Sequence, residues 1–143
     1  MESDWISALT GAVAGAAVSA FWELSVTGLR EKTALSLRFV QDYLDRQEEL
    51  ATVDGLFKNP ASARGDDDIA LSNYNRITSI GNWFDVMAMC YVKNHLNRRL
   101  ILDAGIRDAA HRFSEKLSTG FPELIPSDKV WVNIRDMCNM HRY

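Results

Sequence analysis

The sequence has only two cysteines and no net charge beyond its first residues, and each absence excludes a class of function. Cys90 and Cys138 have no metal-binding or redox spacing, and two free or buried thiols fit a reducing compartment. The formal net charge of −3 is carried by Glu2, Asp4 and Glu23, so residues 30–143 are formally neutral. Because general nucleic-acid binding usually needs a marked basic excess, we do not expect it here.

Sequence motifs for catalysis are also lacking. The three histidines, His95, His111 and His141, have no partners at metal-ligand spacing, and there is no glycine-rich phosphate loop or nucleophile elbow. The aspartates at 66–68 stand just before a predicted helix, where acids serve as caps and as partners of the helix dipole. The sequence therefore predicts no enzyme, no cofactor and no metal site.

Two features leave room for a functional site. Asp85 lies within an apolar helical run, so it is a candidate buried acid and the one residue on which an enzymatic role could be based. A salt bridge to Arg107 or Arg112 is its structural alternative. A candidate anion-binding patch, for headgroups, a nucleotide or an acidic partner, is formed by Lys93, Arg98, Arg99 and Arg107. A solvated basic face without a ligand is the alternative for this patch.

An uncharged segment stands between Trp5 and Trp22, near the start of the sequence. As a helix it would be about 25 Å long, slightly short of a ~30 Å hydrocarbon core, with an indole ring at each interface. Few of its residues are strongly apolar, so it would span a bilayer only marginally as a lone helix; they are Ile6, Leu9, Val13, Val18 and Phe21.

Small residues recur at every fourth position of this segment. One row comprises Gly11, Gly15 and Ser19, and the adjacent row comprises Ala8, Ala12 and Ala16. Rows of small residues let a second helix approach closely within a membrane. The sequence therefore predicts a membrane-association helix over residues 1–29 that forms a homo-oligomer.

Two other interpretations of this segment stay open. A signal peptide would require a basic start, whereas Glu2 and Asp4 are acidic. An Ala-rich helix buried in a soluble bundle or oligomer is the stronger alternative. If the segment does cross a membrane, Arg30 and Lys32 place the following domain in the cytoplasm, with the protein in the inner membrane.

Residues 30–143 are predicted to form an all-α bundle of about four helices, because no strand pattern or internal repeat of comparable strength is present. The helices are expected over 31–57, 69–102 with a break near 97–99, 103–117 and 127–137. In the first, an apolar face combines Leu35, Leu37, Phe39, Val40, Tyr43 and Leu44. The second has the widest apolar face and is expected to be central. Asp103 and Ser127 are expected as N-caps and Gly120 as a stop.

The stretch from Arg76 to Asp103 carries a family resemblance. Arg76-Ile77, the run from Trp83 to Ala88 and Ile101-Leu102-Asp103 resemble "R-I-x-x-x-x-N-x-x-E-x-x-A" in an uncharacterised family of small bacterial single-pass membrane proteins, and Asn82 lies close to the asparagine of that pattern. Asp85 stands where that pattern has glutamate. The resemblance implies a membrane helix followed by a cytoplasmic helical domain, and it implies no activity.

Together these patterns predict a membrane-anchored, self-associating interaction or effector protein whose helical domain binds a partner or controls assembly. Effectors of bacterial anti-phage systems offer an analogy of architecture alone. A soluble helical binding module, with the N-terminal helix buried, is the alternative.

Overall fold

The computed structural model describes residues 25–124 and 131–140. Within these ranges the protein is all-α, as the sequence predicts, but it has six helices rather than about four. They are α1 over 25–45, α2 over Gln47–Lys58, α3 over Asp68–Val92, α4 over Arg98–Asp103, α5 over Ile106–Gly120 and α6 over Val132–Asn139. Short 3-10 helices occur at Pro60–Ala63 and Pro122–Leu124.

The predicted helix over 31–57 is interrupted at Arg46, which separates α1 from α2. The Gln47 side-chain amide donates to the Tyr43 carbonyl at 2.9 Å. The Arg46 N–H still donates to the Asp42 carbonyl and the Leu50 N–H to the Arg46 carbonyl, so the interruption is confined to one residue. α1 itself continues without interruption through Gly28, and the predicted domain boundary between residues 29 and 30 falls inside it.

The long central helix ends earlier than the sequence suggests. α3 stops at Val92, because Asn94 adopts a left-handed conformation with φ 60°. The His95 N–H then donates to the Cys90 carbonyl at 2.9 Å and the Asn94 N–H to the Tyr91 carbonyl at 3.1 Å, which is a Schellman ending. The predicted break near 97–99 is therefore displaced, and α4 is a separate helix of six residues.

The fifth helix begins after the predicted cap. Asp103 is the last residue of α4, and Gly105 occupies the N-cap position of α5 with φ 72°, a conformation that glycine adopts without steric cost. The predicted stop at Gly120 agrees with the end of α5. Ser127, the predicted cap of the last helix, lies outside the described residues.

The core is centred on α3, which packs against α2, α5 and α6 and is therefore the central helix that the sequence predicts. Its buried face includes Ile77, Ile80, Phe84 and Met87. An aromatic chain crosses the core, since the Phe113 ring of α5 lies 5.4 Å from Phe84, 5.6 Å from Phe57 and 6.0 Å from Trp131. These contacts tie α2, α3, α5 and the start of α6 into one unit.

None of the helices in residues 25–124 and 131–140 combines the length and the apolarity needed to cross a bilayer. The predicted membrane segment between Trp5 and Trp22, together with its rows of small residues, lies outside the described residues. The membrane helix stays a prediction of the sequence.

Candidate functional site

Both ends of α6 are held by charged side chains from other helices. Asp85, on α3, accepts hydrogen bonds from the Asn133 N–H at 3.0 Å, the Ile134 N–H at 3.3 Å and the Asn133 side-chain amide at 2.8 Å. Its carboxylate thus takes up free donors in the first turn of α6, where negative charge also complements the helix dipole. The predicted arginine partner is replaced by the backbone of another helix.

Arg107, on α5, occupies the opposite end of α6. Its buried guanidinium donates to the carbonyls of Met137 at 3.2 Å, Cys138 at 3.3 Å and Met140. A cation at a helix C-terminus complements the dipole there as well. We call the pair formed by Asp85 and Arg107 the α6 clasp. The structure therefore assigns both residues a positioning role, and it leaves Arg107 apart from the predicted basic patch.

Trp131, directly before α6, is seated on α3. Its indole N–H donates to the Asn82 side-chain oxygen at 3.0 Å, and its ring covers Gly81 so closely that a Cβ there would lie less than 3.0 Å from it. Asn82 and Asp85, which carry part of the family resemblance, thus both hold the segment at 131–134. That resemblance itself stays a prediction.

The remaining residues of the basic patch lie beside α1. The Asn97 N–H donates to the Ser36 hydroxyl at 2.8 Å, and that hydroxyl donates to the Lys32 carbonyl at 2.7 Å. This bond fixes the turn between α3 and α4 against the first half of α1. We call the resulting set the basic pole; it comprises Arg30, Lys32, Lys93, Arg98 and Arg99.

Two of these arginines also contact other side chains of the helical domain. Arg98 lies over the Tyr91 ring at 5.3 Å and donates to the Tyr91 carbonyl at 3.4 Å, so it covers the end of α3. Arg99 is highly exposed and lies 3.8 Å from the Asp103 carboxylate. A solvent-exposed pair of this kind contributes little stability and leaves the arginine accessible.

An exposed apolar face on α1 was not separated from its core face by sequence reasoning. Leu35, Phe39 and Tyr43 pack against the core, whereas Leu29, Leu37 and Leu44 are 62%, 53% and 57% exposed. At 100° per residue the two groups are centred roughly 130° apart. We call this side of the helix the α1 apolar face; it comprises the exposed Leu29, Leu37 and Leu44 and the half-buried Val26 and Thr33 beside them. Its first half lines a shallow groove of about 380 Å³.

A second groove, of about 420 Å³, lies between α2 and α5 and is bordered by an ion-pair cluster. Lys116 of α5 donates to the Asp54 carboxylate of α2, and Lys58 lies 3.6 Å from the same carboxylate. The Lys116 hydrogen bond lowers the pKa of Asp54 below its usual value, with a smaller contribution from the charge of Lys58. The cluster joins the two helices through the shared Asp54 carboxylate.

The two cysteines are not joined in a disulfide. Both are half-buried and unpaired, in keeping with the predicted free thiols. Burial raises the pKa of the Cys138 thiol, although the nearby Arg107 charge acts in the opposite direction. Because the thiolate is the reactive form, a raised pKa makes Cys138 a poor nucleophile near neutral pH.

Comparison of the chain with family models, with curated proteins and with solved structures finds no match. The candidate sites are therefore argued from their geometry. Of these, the α6 clasp and the Asp54 cluster connect helices within the bundle. The α1 apolar face and the basic pole face outward, and so do Ile69, Leu71 and Val86 of α3.

Proposed function

We propose that this protein is a membrane-anchored, self-associating interaction protein of the inner membrane, with its helical domain in the cytoplasm. The observation that supports this proposal best is the α1 apolar face. Large apolar side chains that stay exposed along one side of a helix are typical of a surface that another helix covers. The N-terminal segment with its predicted packing rows leads directly into this helix.

The helical phase favours one continuous association surface. In a helix of 3.6 residues per turn, five turns correspond to 18 residues, the spacing from Gly11 to Leu29 and from Ser19 to Leu37. The small-residue row would thus continue, on the same side, into the α1 apolar face. A second copy of the chain, aligned in parallel, would use close backbone packing at the first part and leucine packing at the second.

The charges on α1 are compatible with a parallel copy. Glu31, Arg38, Asp42 and Asp45 lie on the side away from the α1 apolar face, counting 100° per residue. Arg30 lies at the edge of this face. Next to Arg30 on the helical wheel are Ala34 and Gln41, which carry no charge. Like charges of two parallel copies are therefore mostly kept apart.

Membrane association is tested by fractionating cells that express the full chain and extracting the membranes with carbonate. The proposal expects the protein in the carbonate-resistant fraction. A soluble helical binding module is the second candidate, because the leucines of α1 can also be covered in a soluble oligomer. Purification of a folded oligomer without detergent, and its absence from membranes, would favour that candidate and contradict the anchor.

Self-association is tested by substitution within the α1 apolar face. Leu37→Glu with Leu44→Glu should lower chemical cross-linking of the full chain at least several-fold, because two carboxylates would be buried at the contact. Leu71→Glu with Val86→Glu is the matched control, since these α3 side chains are 57% and 51% exposed and lie outside the face. Equal loss of cross-linking in both pairs would count against the assignment of the surface.

A further inference from the structure

The helical domain has charge of opposite sign at its two ends. The basic pole lies beside the first half of α1 and the end of α3. The opposite end carries Asp66, Asp67 and Asp68, at the start of α3. The groove that begins at Asp68 also includes Glu49 and Arg76, and Glu49 is paired with Arg46 at 2.9 Å. α3 has 25 residues, so the two ends are separated by about 37 Å at 1.5 Å per residue. The formally neutral domain thus has basic residues in excess where α3 ends and three consecutive aspartates where it begins.

The basic pole lies at the end that adjoins the predicted membrane segment. In a continuous helix, Arg30 and Lys32 would be about 12 Å and 15 Å along the axis from Trp22, the predicted interface anchor. Ser36, which holds the turn at 93–97, lies about one turn further. These positions lie beyond a headgroup layer of about 5–8 Å, so the basic side chains would reach it through their long stems and through a tilt of the helix that brings one side of the domain closer.

The exposure of these residues suits a surface ligand. Lys93, Arg30 and Arg99 are exposed, and Lys32 is half-buried. The ion pair between Arg99 and Asp103 is solvent-exposed and therefore weak. Basic residues next to a membrane helix are attracted by anionic lipids, and the attraction decays within a Debye length of about 8–10 Å.

We infer that the basic pole binds the anionic headgroups of the membrane that holds the N-terminal segment, so that the domain lies with this end against the bilayer. This inference rests on the proposed membrane anchor and adds a second contact to it. The turn at 93–97 adds basic residues that are far in sequence from Arg30 and Lys32, and the Ser36 hydroxyl positions that turn. The acidic end then points away from the membrane.

The test uses the full chain with Cys90→Ala and Cys138→Ala, reconstituted into vesicles that contain headgroup spin-labelled lipid. A fluorophore is attached at His95→Cys, in the basic pole, or at Ser72→Cys, near the acidic end; both positions are exposed. The vesicles are of phosphatidylcholine alone or of roughly three parts phosphatidylcholine to one part phosphatidylglycerol. Flotation and circular dichroism first establish that each variant is anchored and folded.

We expect quenching at position 95 to be several-fold stronger in the anionic vesicles, to decline in high salt and to be weak at position 72. Lys93→Glu with Arg99→Glu should abolish the lipid dependence. Arg76→Glu with Arg112→Glu, which changes the net charge equally at exposed sites elsewhere, should preserve it. Equal quenching in both lipids, in a chain that floats with the vesicles, would overturn the inference alone. A chain that does not float would overturn the membrane anchor, and the inference with it.

Discussion

At the scale of single residues, the close contact between Gly81 and Trp131 restricts position 81 to glycine, because a Cβ there would overlap the indole ring. Glycine in a helix interior costs stability, yet at Gly81 it leaves the space that the indole ring occupies. Gly55, in the middle of α2, has open space around it and no such reason to be glycine. The same substitution at these two positions should therefore have opposite effects.

We expect Gly55→Ala to raise the free energy of unfolding by about 0.5–1 kcal/mol, because alanine has the higher helix propensity. Gly81→Ala should lower it by about 1–3 kcal/mol, because the new methyl group overlaps the Trp131 ring and must displace it. Urea titration measures both changes, and tryptophan emission should shift only in Gly81→Ala. Similar stabilisation in the two variants would be inconsistent with the contact.

Residue roles were predictable only in part from the sequence. Asp85 was recognisable as an acid in an apolar run that needs a partner, and a structural partner was the favoured interpretation. Its actual partners are N–H groups at the start of α6, and periodicity within α3 contains no information about which helix end docks there. The α1 apolar face was missed for a related reason, since an apolar pattern does not distinguish core contact from an unfilled surface.

At the scale of helices, the boundaries reflect turn chemistry that competes with apolar periodicity. Asn94 ends α3 by adopting a left-handed conformation, which asparagine tolerates better than most residues, although the apolar pattern continues beyond it. Asp67, in contrast, is the N-cap of α3 as its position before the helix suggested, and it accepts from the Ala70 N–H at 2.6 Å. Asp103, which was also predicted as a cap, instead ends α4, because Gly105 takes the N-cap position of α5.

The link between α2 and α5 should depend on pH in a defined direction. The pKa of Asp54 is lowered in the folded state, so its contribution to stability is present above its unfolded pKa of about 3.9 and is lost as the pH falls through the lower folded value. Asp54→Asn should therefore destabilise the protein between pH 6 and 8 by no more than about 1 kcal/mol, since the pair is partly exposed.

That difference between Asp54→Asn and the unsubstituted protein should shrink below about pH 4. Thermal unfolding followed by circular dichroism across this range measures it. Asp66→Asn, at an exposed position, serves as the control. A difference that grows toward low pH would show that the carboxylate is not held by Lys116.

At the scale of the whole molecule, the all-α class and the central position of α3 were predictable, because long helical periodicity and a wide apolar face are strong signals. The number of helices was not, since α4 has only six residues and the interruption between α1 and α2 is confined to Arg46. The clustering of basic residues at one end of the domain was also not predictable from the sequence, because the basic pole combines residues of α1 with residues some sixty positions later.

The predicted packing rows lead to an expectation for the assembled protein. If assembly perturbs the membrane, expression of the protein should depolarise cells, and Gly11→Leu with Gly15→Leu should remove that effect by preventing close approach of the helices. Ala12→Leu with Ala16→Leu provides a comparison on the adjacent row. Membrane potential, read with a voltage-sensitive dye at matched protein levels, is the measurement. Depolarisation unchanged by the glycine substitutions would exclude packing through Gly11 and Gly15.

The α6 clasp has a direction, which an ordinary salt bridge lacks. Exchanging the partners of a salt bridge preserves the attraction, but Asp85 and Arg107 each face one end of a helix dipole rather than each other. Asp85→Arg combined with Arg107→Asp would place a positive charge at the N-terminus of α6 and a negative charge at its C-terminus, so that each charge has the same sign as the dipole end it faces. The backbone groups at both ends would also lose these side-chain partners. We expect this exchange to be more destabilising than either single substitution in a urea titration. Asp85 of α3 and Arg107 of α5 thus determine the direction in which the last described helix runs.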